Sequence, residues 1–341
     1  LSPNLLASTK YTLTGATYNV TVNKAPLTVA VSAEYSGTTT LAPIAATVNI
    51  GGLKNAETLL PTSVTAQSAN VSSNGTNFVT AINASNGTAN LDNYTVTVLG
   101  SPMTINPKVV TLNGTLTATK TYDGNNMATL STVGVTPSVV FGSDNVTVSS
   151  VTGTYDSVNV SNARVVTVTG ATLSGTSSTN YTVNTLAGQT GTGTIAQLPS
   201  ATWVGATNSD WNLASNWAVT GNLAQTGVLP NLGNVATAII PSTFAGTVLA
   251  TTDLGYQGKI VVNGGTLAVG SDAYLGTAPV TAVADQLTLN GGTLRATDSF
   301  TMSANRGVTL GASGGTFLVD ATKSVTLSGV LTGAGALAKT G

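Results

Sequence analysis

The chain has no cysteine and no histidine, and only 7% of its 341 residues are charged. Without cysteine there is neither a disulfide nor a thiolate metal site, so core packing and strand ladders have to supply the stability. The same absence suits a chain that crosses an outer membrane unfolded, and equally a low-complexity β protein that simply uses little cysteine. Without histidine, a Ser/His/Asp triad, a His-ligated zinc and a histidine general base are excluded. Eleven basic and twelve acidic residues give a net charge of −1. That leaves no field to steer a polyanion, and nucleic acid is not an expected partner. No apolar run approaches the roughly 20 residues of a membrane-spanning helix, and no motif asks for a cofactor. Leu1 is neither an initiator Met nor the start of a signal peptide, so a position inside a longer polypeptide is expected.

What fills the space left by charge is Thr, Ser, Asn and Gly. Hydroxyls and amides stay hydrated without charge, and Thr sits well on a pleated surface. The length exceeds what one core organises, so several modules are expected. A Tyr-centred strand recurs at residues 16–29 (ATYNVTVNKAPLTV), 92–112 (DNYTVTVLGSPMTINPKVVTL) and 179–199 (TNYTVNTLAGQTGTGTIAQLP), with Tyr18, Tyr94 and Tyr181 spaced by 76 and 87 positions. That period is close to an immunoglobulin-like sandwich of about 100 residues. Tyr94, Val96 and Val98 alternate with Thr95 and Thr97, and Val165, Val166 and Val168 read similarly. Asn74-Gly75, Asn86-Gly87, Asn113-Gly114 and Asp123-Gly124 punctuate these runs as turns. The fold class expected is all-β: tandem immunoglobulin-like β-sandwich modules followed by a parallel β-solenoid.

The expected boundaries are residues 1–24 for the tail strands of a preceding module, 25–106 and 107–198 for two sandwiches, and 199–341 for the solenoid. Pro26, Pro107 and Pro199 stiffen the junctions. The last segment opens with all three tryptophans, Trp203, Trp211 and Trp217. IVVNGGTLAVG from Ile260, LTLNGGTLRAT from Leu287 and VTLGASGGTFLVD from Val308 then repeat strand, glycine pair, strand, with starts 27 and 21 residues apart. Gly264-Gly265, Gly291-Gly292 and Gly314-Gly315 are the expected corners. Ile260, Val262, Leu287, Leu289, Val308 and Leu310 are the expected interior stack.

Three stretches resemble known modules. Residues 25–106, with YSGTT after Glu34 and the closing NYTVTV, resemble the "MBG" modules of bacterial surface proteins. KTYDGNN at residues 120–126, holding Lys120, Tyr122, Asp123 and Gly124, with NYTV at 180–183, is similar to the YDG module of haemagglutinin-like adhesins. LSGVLTGAGALAKTG at residues 327–341 resembles the strand repeat of autotransporter passenger domains, which a Trp-rich segment often introduces. The resemblance implies a giant exported adhesin or matrix filament of the filamentous-haemagglutinin or autotransporter kind, at the cell surface or secreted. Implied partners are host, surface or matrix glycans or proteins, and sister molecules through strand addition or module stacking.

Asp210, Asp253, Asp272, Asp285, Asp298 and Asp320 do not follow a calcium-roll or EF-hand spacing and read as turn caps. A polysaccharide lyase needs acids and cations on one face, and Lys259, Arg295, Arg306, Lys323 and Lys339 are scattered in sequence, so no enzyme is expected. The tryptophans read as a cap on the first turn of the solenoid, with sugar stacking as the alternative. Sequons stand at Asn19, Asn70, Asn74, Asn83, Asn86, Asn93, Asn113, Asn145, Asn159 and Asn180, and none after Pro199. Lys120 and Lys108 are candidate donors of a Lys–Asn crosslink. Residues 1–24 are a candidate strand donated to a neighbouring copy, or the truncated end of a preceding module.

Overall fold

The computed structural model describes residues 21–42, 46–96, 101–183, 188–205, 208–253 and 255–341. It is all-β: strands joined by turns and short 3-10 segments, with no α-helix among the described residues. The expected tail strands, Tyr18 included, lie outside the described residues except for residues 21–24, which are exposed and in no strand. Val98 also lies outside them. Packing divides the chain into two compact units that are discontinuous in sequence. The first comprises Leu1–Val110, Val139–Val146 and Gly175–Thr182, and the second Thr111–Ser138, Thr147–Ser174 and Val183–Gly341.

In the first unit, alternation in Ala25–Glu34 buries Leu27, Val29, Val31 and Ala33 on one face. This strand pairs antiparallel with Ala46–Gly51, from Thr28↔Gly51 to Ala33↔Ala46 without a shift. On its other edge it pairs in parallel with Tyr94–Val96 and Met103–Asn106. Leu59–Ala66, flanked by Thr40–Leu41 and Val79–Asn86, makes a second, antiparallel sheet. Leu27, Leu59, Ala89 and Tyr94 form one buried cluster.

The second unit begins with a five-stranded sheet ordered Thr117–Thr121, Thr190–Ala196, Ser161–Ser174, Thr147–Tyr155, Met127–Leu130. Val166 and Val168 are buried while Val165 and Thr167 are exposed, as period-2 alternation requires. Leu198–Trp203 then starts an eight-stranded sheet, antiparallel to Trp217–Val219 and parallel to Val235–Ile240. The sheet continues in parallel through Lys259–Val262, Val283–Leu289, Arg306–Leu310 and Leu331–Gly333. A companion sheet of Thr247–Ala250, Thr266–Val269, Thr293–Ala296, Gly315–Val319 and Leu337–Thr340 is parallel throughout. The chain passes from one sheet to the other and back.

The registers stack Ile260, Leu287 and Val308 in one column and Val262, Leu289 and Leu310 in another, all buried. Leu267, Leu294 and Phe317 align in the companion sheet. Each such side chain contributes about 1.5–3 kcal/mol on full burial. One hydrophobic cluster runs from Leu112 through the tryptophans to Phe317.

The glycine pairs sit at the turns between the sheets. Gly265, Gly291 and Gly314 have φ of +55°, +100° and +69°. Gly264 abuts Pro241 and Ser242, Gly292 abuts Val262, and Gly315 abuts Leu289. At Gly292 a Cβ would collide with the Val262 side chain of the preceding turn, so the position excludes any larger residue.

Candidate functional site

The KTYDG loop divides its labour. The Lys120 ammonium donates to Asp123 Oδ1 at 2.7 Å, to the Asn125 carbonyl at 2.6 Å and to Asn125 Oδ1 at 3.1 Å, and stands 5.3 Å from the centre of the Tyr155 ring. All three protons are used within the loop. The lysine thus closes the loop, and the side chains in contact with it, the Asp123 carboxylate and the Asn125 amide, are the acid and the amide that a Lys–Asn crosslink would need. Lys108 is likewise paired, with Glu34 at 2.8 Å. Tyr122 and Gly124 face elsewhere. Tyr122 is buried and its hydroxyl lies 3.4 Å from the Leu229 carbonyl. Gly124 has φ +78°, and a Cβ there would collide with the Gly227 carbonyl.

A second corner of the same form lies in the first unit. Tyr35 is buried, Gly37 has φ +74°, and a Cβ on Gly37 would stand 2.8 Å from Phe141 Cβ. Tyr35 donates to Asp144 Oδ2 at 2.7 Å, and Tyr181 donates to the same oxygen at 2.6 Å while accepting from the Phe141 N–H at 2.8 Å. The three rings of Tyr35, Phe141 and Tyr181 pack edge-on or tilted. Burial, then the neighbouring Asp144 carboxylate, pushes both phenols up to about 12. Burial opposes ionisation of Asp144, but hydrogen bonds from Tyr181, Tyr35 and Ser177 outweigh it and hold the carboxyl below its ordinary value.

Each corner has an asparagine clasp. Val71 N–H donates to Asn180 Oδ1 at 2.9 Å, and Asn180 Nδ2 donates to Asn70 Oδ1 at 2.9 Å. In the second unit, Val160 N–H donates to Asn234 Oδ1 at 2.9 Å and Asn234 Nδ2 donates to Asn159 Oδ1 at 2.8 Å. An Asn-Val dipeptide meets a buried Asn side chain both times. Asn180 is therefore closed to modification in the folded chain, and Asn70 and Asn159 are engaged. Asn74 is held by two bonds to the Ile105 backbone.

The three tryptophans are buried. Trp203 and Trp211 each pack on Trp217, with centroids 5.2 and 4.5 Å apart. Trp217 Nε1 donates to the Trp211 carbonyl at 2.8 Å, and Trp211 Nε1 to the Pro230 carbonyl at 3.2 Å. None presents a ring face to a sugar.

The aspartates correct the turn-cap reading in part. Asp210, Asp253 and Asp298 do accept from nearby backbone amides. Asp285 and Asp320 pair instead with Lys259 at 2.7 Å and Arg295 at 2.8 Å, and Asp298 pairs in addition with Lys323 at 2.8 Å. Partners 25 or 26 positions apart in sequence stand side by side on adjacent turns. Asp272 meets Arg306, which is 1% exposed and donates at 2.9 Å to Asp272 Oδ1, 3.0 Å to the Leu275 carbonyl and 2.6 Å to the Gly276 carbonyl. The cations scattered in sequence are thus mostly neutralised in space. Among the described residues no group of three acidic, His or Cys side chains could hold a metal ion.

The sequence reading placed the Lys120, Tyr122, Asp123 and Gly124 loop and Tyr94 and Tyr181 in the signature, but gave Tyr35 only as part of YSGTT, Asn70 and Asn159 only as sequons and Arg306 only as a scattered cation, and missed Asp144 and Asn234. Tyr35-x-Gly37 and Tyr122-x-Gly124 lie 87 positions apart, as Tyr94 and Tyr181 do, and that shared offset was the available signal.

No solved structure matches the chain. A 96-residue stretch is 41% identical to the adhesin BmaC autotransporter of Brucella suis biovar 1 (strain 1330), covering 28% of this chain and 3% of that protein. Residues 106–191, which contain the KTYDG loop, Asp144 and Tyr181, are similar to the YDG domain.

Proposed function

We propose that the chain is a stretch of an adhesive bacterial surface protein, exposed at the cell surface or secreted, and that it acts as a structural and adhesive stalk rather than as an enzyme. On this reading residues 25–106 and 107–198 are MBG-like and YDG-like sandwich modules of immunoglobulin type. Residues 199–341 are a parallel β-solenoid whose first turn the tryptophans cap. The carrying observation is the single hydrophobic cluster from Leu112 to Phe317, which joins the YDG-like sheet to the parallel ladders. A stalk needs that continuity, whereas a catalytic protein needs a cleft with uncommitted acids or bases. Here the acids and cations of the ladders neutralise one another. Binding to host, surface or matrix glycans or proteins would spread over hydroxyl- and amide-rich faces.

A second reading, a self-assembling filament, draws on one strand. Asn222–Thr226 forms the edge of the eight-stranded sheet, and all five residues are exposed and carry neither charge nor proline. Electron microscopy of the purified chain separates the two. Isolated particles that coat beads and confer attachment to cells or matrix support the stalk; regular polymers support the filament. Particles that confer no attachment sink the adhesive role.

A further inference from the structure

The closing tyrosine of the first module stands in a setting that repeats, residue for residue, the one around Tyr181. Tyr94 accepts from the Lys54 N–H at 3.1 Å and donates to the Glu57 carboxylate. Tyr181 accepts from the Phe141 N–H and donates to Asp144. Lys54 and Phe141, Glu57 and Asp144, Asn93 and Asn180, and Tyr94 and Tyr181 are each separated by 87 positions. Backbone shape repeats too. Asn55 and Gly142, again 87 apart, have φ of +49° and +53°, and a 3-10 turn precedes each tyrosine at Leu91–Asn93 and Ser178–Asn180.

The two sets differ in what else they touch. Asp144 accepts from two phenols, Tyr181 and Tyr35, and Asn180 is buried under Asn70 and Val71. Asn93, by contrast, is exposed and Glu57 is half-buried. The repeated set therefore has the acceptor and amide that engage a Tyr-x-Gly corner and an Asn-Val turn at the other site.

We infer that the surface of Lys54, Glu57 and Asn93 around the buried Tyr94 is a receptor for the Tyr-x-Gly corner and Asn-Val turn of another module of this kind, one lying ahead of residue 25 in the same polypeptide. This rests on the tandem-module reading above. A second copy is a poor source, because the Tyr35 and Tyr122 corners, the ones that come with an Asn-Val turn, are already buried. A preceding module is the better source, because the sequence of residues 16–29 repeats the Tyr-centred sequence that closes the other modules. Glu57 would accept the incoming phenol beside that of Tyr94, and Asn93 would bracket the incoming Asn-Val turn.

The test places a copy of residues 25–111 directly before residue 25 of the chain, which keeps the 87-residue period. Gly37→Cys in the added copy is combined with Lys54→Cys in the original module. The chain has no cysteine of its own, so any disulfide is the designed one. Gly37→Cys with Phe141→Cys in the unextended chain is the reference, and it carries the same left-handed strain at position 37. Under oxidation the extended chain is expected to lose about 2 Da and to yield the linked 37–54 peptide, to an extent comparable with the reference. Adding Glu57→Ala and Asn93→Ala should lower that extent several-fold. Cross-linking in the reference but not in the extended chain overturns the receptor alone. Failure of the reference as well overturns the tandem-module reading with it. A 37–54 link between separate chains, each with one cysteine, gives the site to a second copy and overturns the assignment to a preceding module.

Discussion

Replacing Arg306 by Met should be among the most damaging single changes in the second unit. The side chain is 1% exposed, and methionine fills much of its volume, so the loss is mainly polar. The guanidinium satisfies the Leu275 and Gly276 carbonyls and the Asp272 carboxylate. Each carbonyl left without a partner costs about 1–3 kcal/mol. Asp272 retains 19% exposure of its side chain and can rehydrate, so it adds less. The sum is about 3–5 kcal/mol, the range for breaking a buried pair from one side. Arg306→Lys keeps the charge but cannot span three acceptors, and about half of the loss is expected. Urea unfolding followed by far-UV circular dichroism measures both variants. A midpoint for Arg306→Met that implies less than about 1 kcal/mol would refute the reasoning, since it would mean the carbonyls find water or were never dependent on the guanidinium. Adding Asp272→Ala to Arg306→Met should cost less than the same change in the native chain.

Three further outcomes are expected. The phenols of Tyr35 and Tyr181 ionise near 12 in the folded chain against about 10 when unfolded, so their contribution is complete below pH ~10 and is lost as pH rises towards 12. The low pKa of Asp144 acts at the other end: its contribution is present above the ordinary carboxylate pKa of about 4 and is lost as pH falls through the lower folded value. Thermal melts across the pH range should show both limits, and Tyr35→Phe with Tyr181→Phe should reduce the alkaline one, where Tyr94, Tyr122, Tyr155 and Tyr256 are raised too, and weaken the acid one, since these phenols are what lower Asp144. Asn180→Ala and Asn234→Ala each leave a backbone N–H, of Val71 and Val160, without its acceptor and should destabilise by about 1–3 kcal/mol, measured by urea unfolding. Lys259→Met breaks a pair whose side chains are about half exposed, and should change stability by less than about 1 kcal/mol.

The parallel ladders were readable because their signals are local. Ile260, Leu287 and Val308 begin segments of one pattern, and identical positions in identical turns stack by register, so counting along the sequence gives the contact. The same counting was available for Lys259 with Asp285 and Arg295 with Asp320, but an Asp followed by turn residues looks the same whether it caps its own loop or meets the next turn. The corners were harder. Nothing beside Asn180 or Asn234 in sequence distinguishes a turn asparagine from one that reaches the backbone 109 or 74 positions earlier. Tyr18 was readable as a repeat, yet it lies outside the described residues.

The distance between strand partners carries a kinetic consequence. In the parallel ladders, partners from Thr237 onwards are 19 to 27 positions apart, as in Val248↔Leu267 and Ile260↔Leu287. Every turn can thus zip onto its predecessor as soon as a few dozen residues of new chain are free, with little loop entropy to overcome. The sheets before Pro199 work differently. Ala25–Glu34 waits for Met103–Asn106, and Thr117–Thr121 for Thr190–Ala196, partners 72 and 75 positions later. A polypeptide released from one end would accordingly lock in whole-module steps over its first two hundred residues and then in increments of a single turn.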